Sequence, residues 1–547
     1  MASWSTFAPL PALGSLVPRV NSSQQTHQRD HVAGQHVYAW LDKKGASLAT
    51  PENFVQRSTV PPSALDRGTN DGPEGRLLKL RSARGRITLA TVIVGSGIAM
   101  LDGTVVNIAL RQIGFDLDAS LAQLQWVTNG YLLSLASLIL VGGALGDRLG
   151  RRRMYLLGVA GFALGSALCA FAQSPVQLVL FRMLQGVAAA LLVPGGLALI
   201  QASFRPEDRP AAIGTWAGVS GVATAVGPLL GGFLVDHAGW RWIFAINLPL
   251  CALVVLMGLR APESRDETST GRFDVPGALA GAVALGVTTY LLTSWRTLSG
   301  VVVVVGAFVG LAAIAAFVVL ERRPHAMAPV SMFRSRVFSA ANLMTFLVYG
   351  ALGSVLFFLV LQLQVTVGYG AISAGLATVP IATVMLLLSS RASVLAARLG
   401  PRVPMTVGPI ICAVGIFLLS GVDSGATYWR DVFPGVVLLA LGLTSLVSPL
   451  TVAVLAAAPD RHAGVASGIN NAVARSGTLI AVAALPALVG LAGAEYRDPI
   501  ALTAGYHRAM LAASGMLVLG GVISWFGLQE VGRLSETHRL EKERHTS

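Results

Sequence analysis

A carboxylate stands where carboxylates are costly. Asp102, in the run Leu101-Asp102-Gly103-Thr104-Val105-Val106-Asn107-Ile108-Ala109-Leu110, is the only acidic residue placed deep inside any long apolar block of the chain. Holding such a charge at the centre of a hydrocarbon layer costs about 2.5–3.5 kcal/mol on insertion scales, so an acid there serves a purpose. Two purposes fit: loading and releasing a proton or cation as its surroundings change, or holding a buried arginine in place. Arg182 is a charge of the opposite sign in another apolar block. Counted from the nearer block ends it lies about 9 Å deep and Asp102 about 12 Å deep, at 1.5 Å per residue, so the two are expected at similar depth. A reversible ion pair that tunes the carboxylate and a permanent structural pair follow equally from that match.

Arg475, in Ala466-Ser467-Gly468-Ile469-Asn470-Asn471-Ala472-Val473-Ala474-Arg475-Ser476-Gly477, falls about 15 Å into a later block. With no acid at that depth in its half of the chain, it could meet an anionic or carbonyl-bearing molecule or bond to helix carbonyls. Asn471 and Gln185 join it as candidate contacts for a bound molecule. Between two blocks runs Gly142-Gly143-Ala144-Leu145-Gly146-Asp147-Arg148-Leu149-Gly150-Arg151-Arg152-Arg153. Its glycines, Gly143 and Gly150 among them, allow a tight turn, while Asp147, Arg148, Arg151 and Arg152 could clip neighbouring helix ends in one conformation and free them in another. A basic loop that only sets topology is the alternative. Further on, Gly214, Gly218, Gly221, Gly227, Pro228, Gly231 and Gly232 form a small-residue face with a built-in kink, suited to close helix packing.

Elements of one particular length must position these groups. Of 547 residues 54% are hydrophobic and 12% charged, with mean hydropathy +0.66, whereas soluble domains run near 25% charged. The apolar residues come in blocks of roughly 20, the length of a helix that crosses about 30 Å of hydrocarbon. Fourteen spans are expected: 88-110, 122-145, 154-172, 176-200, 211-235, 242-260, 275-294, 299-320, 338-361, 373-395, 403-421, 432-457, 464-490 and 506-528. The net charge of +13 sits in scattered short loops without an aromatic-laced basic domain, which argues against a nucleic-acid partner. Most arginines fall in alternate loops, the pattern of an even span count with both termini cytoplasmic. Cys169, Cys251 and Cys412 lie apart inside apolar blocks, so neither disulfide nor metal is expected. The histidines are placed in tails, loops or helix ends, away from mid-membrane proton traffic.

Residues 1-80 read as a polar, disordered cytoplasmic tail, or as sequence upstream of a later start codon, and 531-547 as a second cytoplasmic tail. Asp147-Arg148-Leu149-Gly150-Arg151-Arg152 returns as Ala397-Arg398-Leu399-Gly400-Pro401-Arg402 after the tenth span, which suggests a duplicated bundle around a midplane site.

These motifs resemble those of the major facilitator superfamily. The Gly143–Arg152 loop is similar to its signature between helices two and three, Arg182-Met183-Leu184-Gln185-Gly186 to its fourth-helix motif, and the Gly227-Pro228-Leu229-Leu230-Gly231-Gly232 ending to its antiporter motif. Leu101–Leu110, with Trp240-Arg241-Trp242-Ile243-Phe244-Ala245-Ile246-Asn247-Leu248-Pro249, resembles the 14-helix drug:proton antiporter branch. Arg111 stands where that branch usually has proline, and Ala223 where it has a fifth-helix glycine. The resemblance covers about residues 85–530 and implies an all-α integral membrane protein: a six-helix bundle over 81-260, two inserted helices over 261-325 and a second six-helix bundle over 326-530. It implies proton coupling at Asp102 and Arg182 and gating by the loop. The expected function is proton-coupled export of small amphipathic or hydrophobic molecules across the inner membrane by a monomer, with the proton gradient as energy source and no cofactor. Uptake of a small metabolite on the same scaffold is the alternative. No HExxH, GxSxG or GxxxxGK[ST] pattern points to an enzyme.

Overall fold

The architecture follows from caps and turns that start and stop long apolar helices. The computed structural model describes residues 77–265, 274–323, 328–457 and 463–528. In the first half α1 is Ala83–Asp116, α2 Leu121–Leu149, α3 Arg151–Ala170, α4 Pro175–Ser203, α5 Arg209–His237 and α6 Trp242–Gly258. Then come α7 (Val275–Ser294) and α8 (Gly300–Leu320), followed by α9 (Arg336–Val365), α10 (Ala371–Leu399), α11 (Arg402–Leu419), α12 (Phe433–Ala456), α13 (Ala463–Leu488) and α14 (Pro499–Gly527). Hydroxyls of Ser82, Ser120, Ser174 and Ser335 and the carboxylate of Asp498 cap first turns, satisfying backbone N–H groups that a helix start leaves bare. Among the described residues twelve helices are long and apolar enough to cross a membrane. Of the fourteen expected spans, the other two are α5, a 29-residue helix, and α6, which is short and interrupted at Ile246.

The two halves are built alike. The contacts α1–α5, α1–α6, α2–α4, α3–α4 and α3–α6 have counterparts in α9–α13, α9–α14, α10–α12, α11–α12 and α11–α14. The turn after α2 places Gly150 at φ +114°, and the equivalent turn after α10 places Gly400 at φ +75°. That left-handed region favours glycine, so the weak repeat between the two loops marks one turn used twice. The halves meet along α2–α13 and α5–α10, pairs that exchange when first-half helices are swapped for their second-half counterparts. Of the inserted helices, α7 lies against α2 and α13, while α8 packs on α7 and leaves Val301, Phe308 and Leu311 bare. Such a face suits lipid.

Two boundaries differ most from the sequence reading. α1 runs on to Asp116 rather than stopping near Leu110. α14 starts at Pro499, because Asp498 caps it, and not near Tyr506. His507 is therefore inside a helix and not at its end, with Nδ1 3.2 Å from the Ser420 carbonyl. Most of the expected polar tails, and the charged stretch 266–273, lie outside the described residues. Leu78 and Leu80 are described: the first pairs with Phe204 and the second donates its N–H to Asp208.

Candidate functional site

Asp102 on α1 and Arg182 on α4 form an ion pair at 2.5 Å, each side chain 1% exposed. The expected match of depth holds, although the helix ends do not show it: Asp102 lies fourteen residues before the end of α1 and Arg182 seven after the start of α4. They meet because α1 protrudes further than the apolar run suggests. Around the pair, the Arg182 guanidinium donates to Gln185 Oε1 (2.6 Å) and to the Val127 carbonyl (3.1 Å). Its Cζ lies 4.4 Å from the Tyr131 ring centroid. The second carboxylate oxygen of Asp102 accepts from Gln185 Nε2 (3.0 Å) and Asn247 Nδ2 (3.4 Å). Both amides also donate to Ser166 Oγ, at 2.8 and 3.2 Å.

Helix packing sets this geometry. A Cβ on Gly186 would strike the Tyr131 carbonyl, and one on Gly165 would lie 2.9 Å from the Gln185 Cβ, so both glycines let α4 close on α2 and α3. The result is one protonatable carboxylate held by three donors from α4 and α6 in a water-poor site. Sequence reasoning singled out Asp102, Arg182 and Gln185. It quoted Asn247 only as part of a motif and missed Ser166 and Tyr131. Asn247, a polar residue in an apolar stretch, carried a readable signal; Ser166 looks like any small residue suited to packing.

At the opposite end of α2, Asp147 accepts from Arg151 Nε at 2.8 Å. The backbone N–H groups of Arg152 and Arg153 donate to the Glu263 carboxylate at 3.1 and 3.2 Å. Arg152 also reaches the Ala261 carbonyl at 2.9 Å. Glu263 thus sits at the positive end of α3 and fastens the segment after α6 to the α2–α3 turn. A Cβ on Gly150 would come within 2.8 Å of that carboxylate. Arg148 is engaged as well. The close approach of α2 to α4 occurs at Gly142 rather than Gly143: a Cβ on Gly142 would overlap the Ala190 carbonyl, whereas one on Gly143 would make an ordinary contact at 3.7 Å.

On α5, Gly227 and Gly231 face Thr104 and Val105 of α1, and Gly232 faces the start of α10, where a Cβ would lie 2.6 Å from the Ala371 carbonyl oxygen. The Pro228 carbonyl abuts Gly375. One turn on, the Asp236 carboxylate, absent from the sequence reading, accepts from Ala371 N (3.1 Å) and Ile372 N (2.9 Å) and caps α10 across the two halves. Arg475 lies twelve residues into α13, one turn from Asn471, and both are half-buried. The structure does not bring Arg475 into the Asp102 network. A separate cavity of about 310 Å³ between α10 and α12 is lined by Met385, Ser389, Thr444 and Ser448.

Comparison with known proteins agrees with this architecture. The family model described as Major Facilitator Superfamily matches residues 92–276 and 260–482. The chain is 37% identical over 437 residues to the tetracenomycin C resistance and export protein of Streptomyces glaucescens, covering 77% of this chain and 79% of that one. It is 34% identical to the methylenomycin A resistance protein of Bacillus subtilis, covering 83% and 97%. Among solved structures, a peptide transporter POT in complex with sulfate superposes with TM-score 0.63 at 14% identity, covering 84% of this chain and 98% of that one.

Proposed function

This chain belongs to the Major Facilitator Superfamily, and from that premise we propose that it exports small amphipathic or hydrophobic molecules, such as antibiotics or secondary metabolites, across the cytoplasmic membrane in exchange for protons. The resistance and export proteins it resembles support the direction and the substrate class. One observation carries the proton coupling: Asp102 is a single carboxylate buried against Arg182, Gln185 and Asn247, with donors supplied by two helices other than its own. A proton arriving at Asp102 releases Arg182, loosens α1 from α4 and α6, and lets the halves rock about a central site. Loss of the proton restores the pair.

The alternation of arginines supports placing the Gly150 end in the cytoplasm and the Asp118 end outside. The two halves supply both walls of the pathway, so a monomer suffices. The test uses everted vesicles holding a pre-formed pH gradient, to which tetracenomycin C, methylenomycin A and a cationic antibiotic are added in turn. The expected result is collapse of the gradient by at least one compound in the parent and none in Asp102→Asn, with equal protein in the membrane. Collapse at the parental rate in Asp102→Asn would remove Asp102 as the coupling site.

A further inference from the structure

Arg475 is a cation about 18 Å into α13, at 1.5 Å per residue from Ala463. Among the described residues it belongs to no ion pair, and its Nε is buried without a hydrogen-bond partner. The one acid deep in a described span, Asp102, is already taken by Arg182. The remaining described acids stand at helix ends or in loops, as Asp147, Asp236 and Glu263 do. A guanidinium at this depth without a counter-charge is costly and is retained where something pairs with it. The helix that carries it packs against α2 of the first half and α9 of the second, so helices of both halves flank the segment around Arg475. Asn471, one turn away on the same helix, adds an amide.

We propose that the Arg475 guanidinium is the docking point for an acidic group, a carboxylate or ionised phenol, on the transported molecule. A planar guanidinium pairs with such oxygens through two parallel N–H donors. This deepens the export reading by naming a substrate class, and it rests on that reading.

The experiment measures equilibrium binding of 1-naphthylacetate and of its uncharged amide to the purified full chain by titration calorimetry, in the parent, Arg475→Gln and Arg475→Lys. A charge-assisted hydrogen bond is strong enough that the parent should prefer the anion by about tenfold. Arg475→Gln should bind the amide as the parent does and show no preference, while Arg475→Lys keeps part of it. An anion preference that survives in Arg475→Gln overturns the proposal, as does a parent that fails to prefer the anion, including one that binds neither compound. No pH gradient enters the measurement, so loss of proton-driven export in vesicles would count against the export reading and leave the binding result standing.

Discussion

Arg182 and Asp102 each make tolerable a charge that neither could hold alone. Removing one partner of a buried pair strands the other, typically at a cost of about 3–5 kcal/mol, whereas neutralising both leaves polar groups that still bond to each other. Arg182→Ala should therefore lower the thermal stability of the detergent-solubilised protein markedly, and Asp102→Asn/Arg182→Gln should recover most of the loss. Equal lability of the single and double variants would mean that packing of the long Arg182 side chain against Tyr131, rather than its charge, holds α4 in place. The pair itself was legible in sequence because a charge in an apolar block stands out. Ser166 and Tyr131 were not: a serine and a tyrosine in a span are unremarkable until another helix aims an amide or a guanidinium at them.

Helices in this molecule are placed by what their small residues allow. On α5 the glycines expected to ease packing do so on two different faces: Gly227 and Gly231 toward α1, Gly232 toward α10 across the halves. The spacing shows that the face is small but not which helix fills it, because the partner comes from the other bundle. Gly232→Leu should wedge α5 from α10, since even a Cβ there lies 2.6 Å from the Ala371 oxygen. Overpacking of this kind costs about 1–3 kcal/mol, and the loss should be visible as faster disulfide-free maleimide labelling of a cysteine introduced at Gly370, next to the Asp236 cap. Unchanged labelling would mean that α10 can shift to admit the side chain. Boundaries set by a single cap were harder to read: capped by Asp498, α14 begins seven residues before the expected span and leaves His507 and Arg508 well inside the helix rather than at its start.

At the scale of the whole molecule, duplication was legible in the Arg-Leu-Gly turns, yet the state of the pathway was not, since it depends on bonds between residues hundreds of positions apart. The hydrogen bonds that join the halves through described residues gather at the Asp118 end. Leu121 N donates to the Gly493 carbonyl (2.8 Å), Gln125 Nε2 to Val482 (2.6 Å), Gln364 Nε2 to Ile108 (2.9 Å) and Tyr496 Oη to Ala119 (2.9 Å). Pro486 leaves the Val482 carbonyl without its helical donor, which is why Gln125 can claim it. Arg497 ties the same end further, donating to the Gly114 carbonyl at 2.7 Å and to Asp118 at 3.0 Å. The molecule is thus closed at the end proposed to face outward. Reopening it must break this set, in which each bond is worth about 0.5–1.5 kcal/mol net. Arg497→Ala removes several at once without touching Asp102, and a shift of about 1.4 kcal/mol is tenfold in the open population. The reporter is Gly103→Cys, where an added Cβ meets no atom within 4 Å; the three native cysteines are buried. Impermeant maleimide added to right-side-out vesicles should label Gly103→Cys about tenfold faster when Arg497→Ala is also present, and should not do so in everted vesicles. Equal rates with and without Arg497 would show that the seam is held by helix packing alone, and faster labelling only in everted vesicles would reverse the proposed orientation.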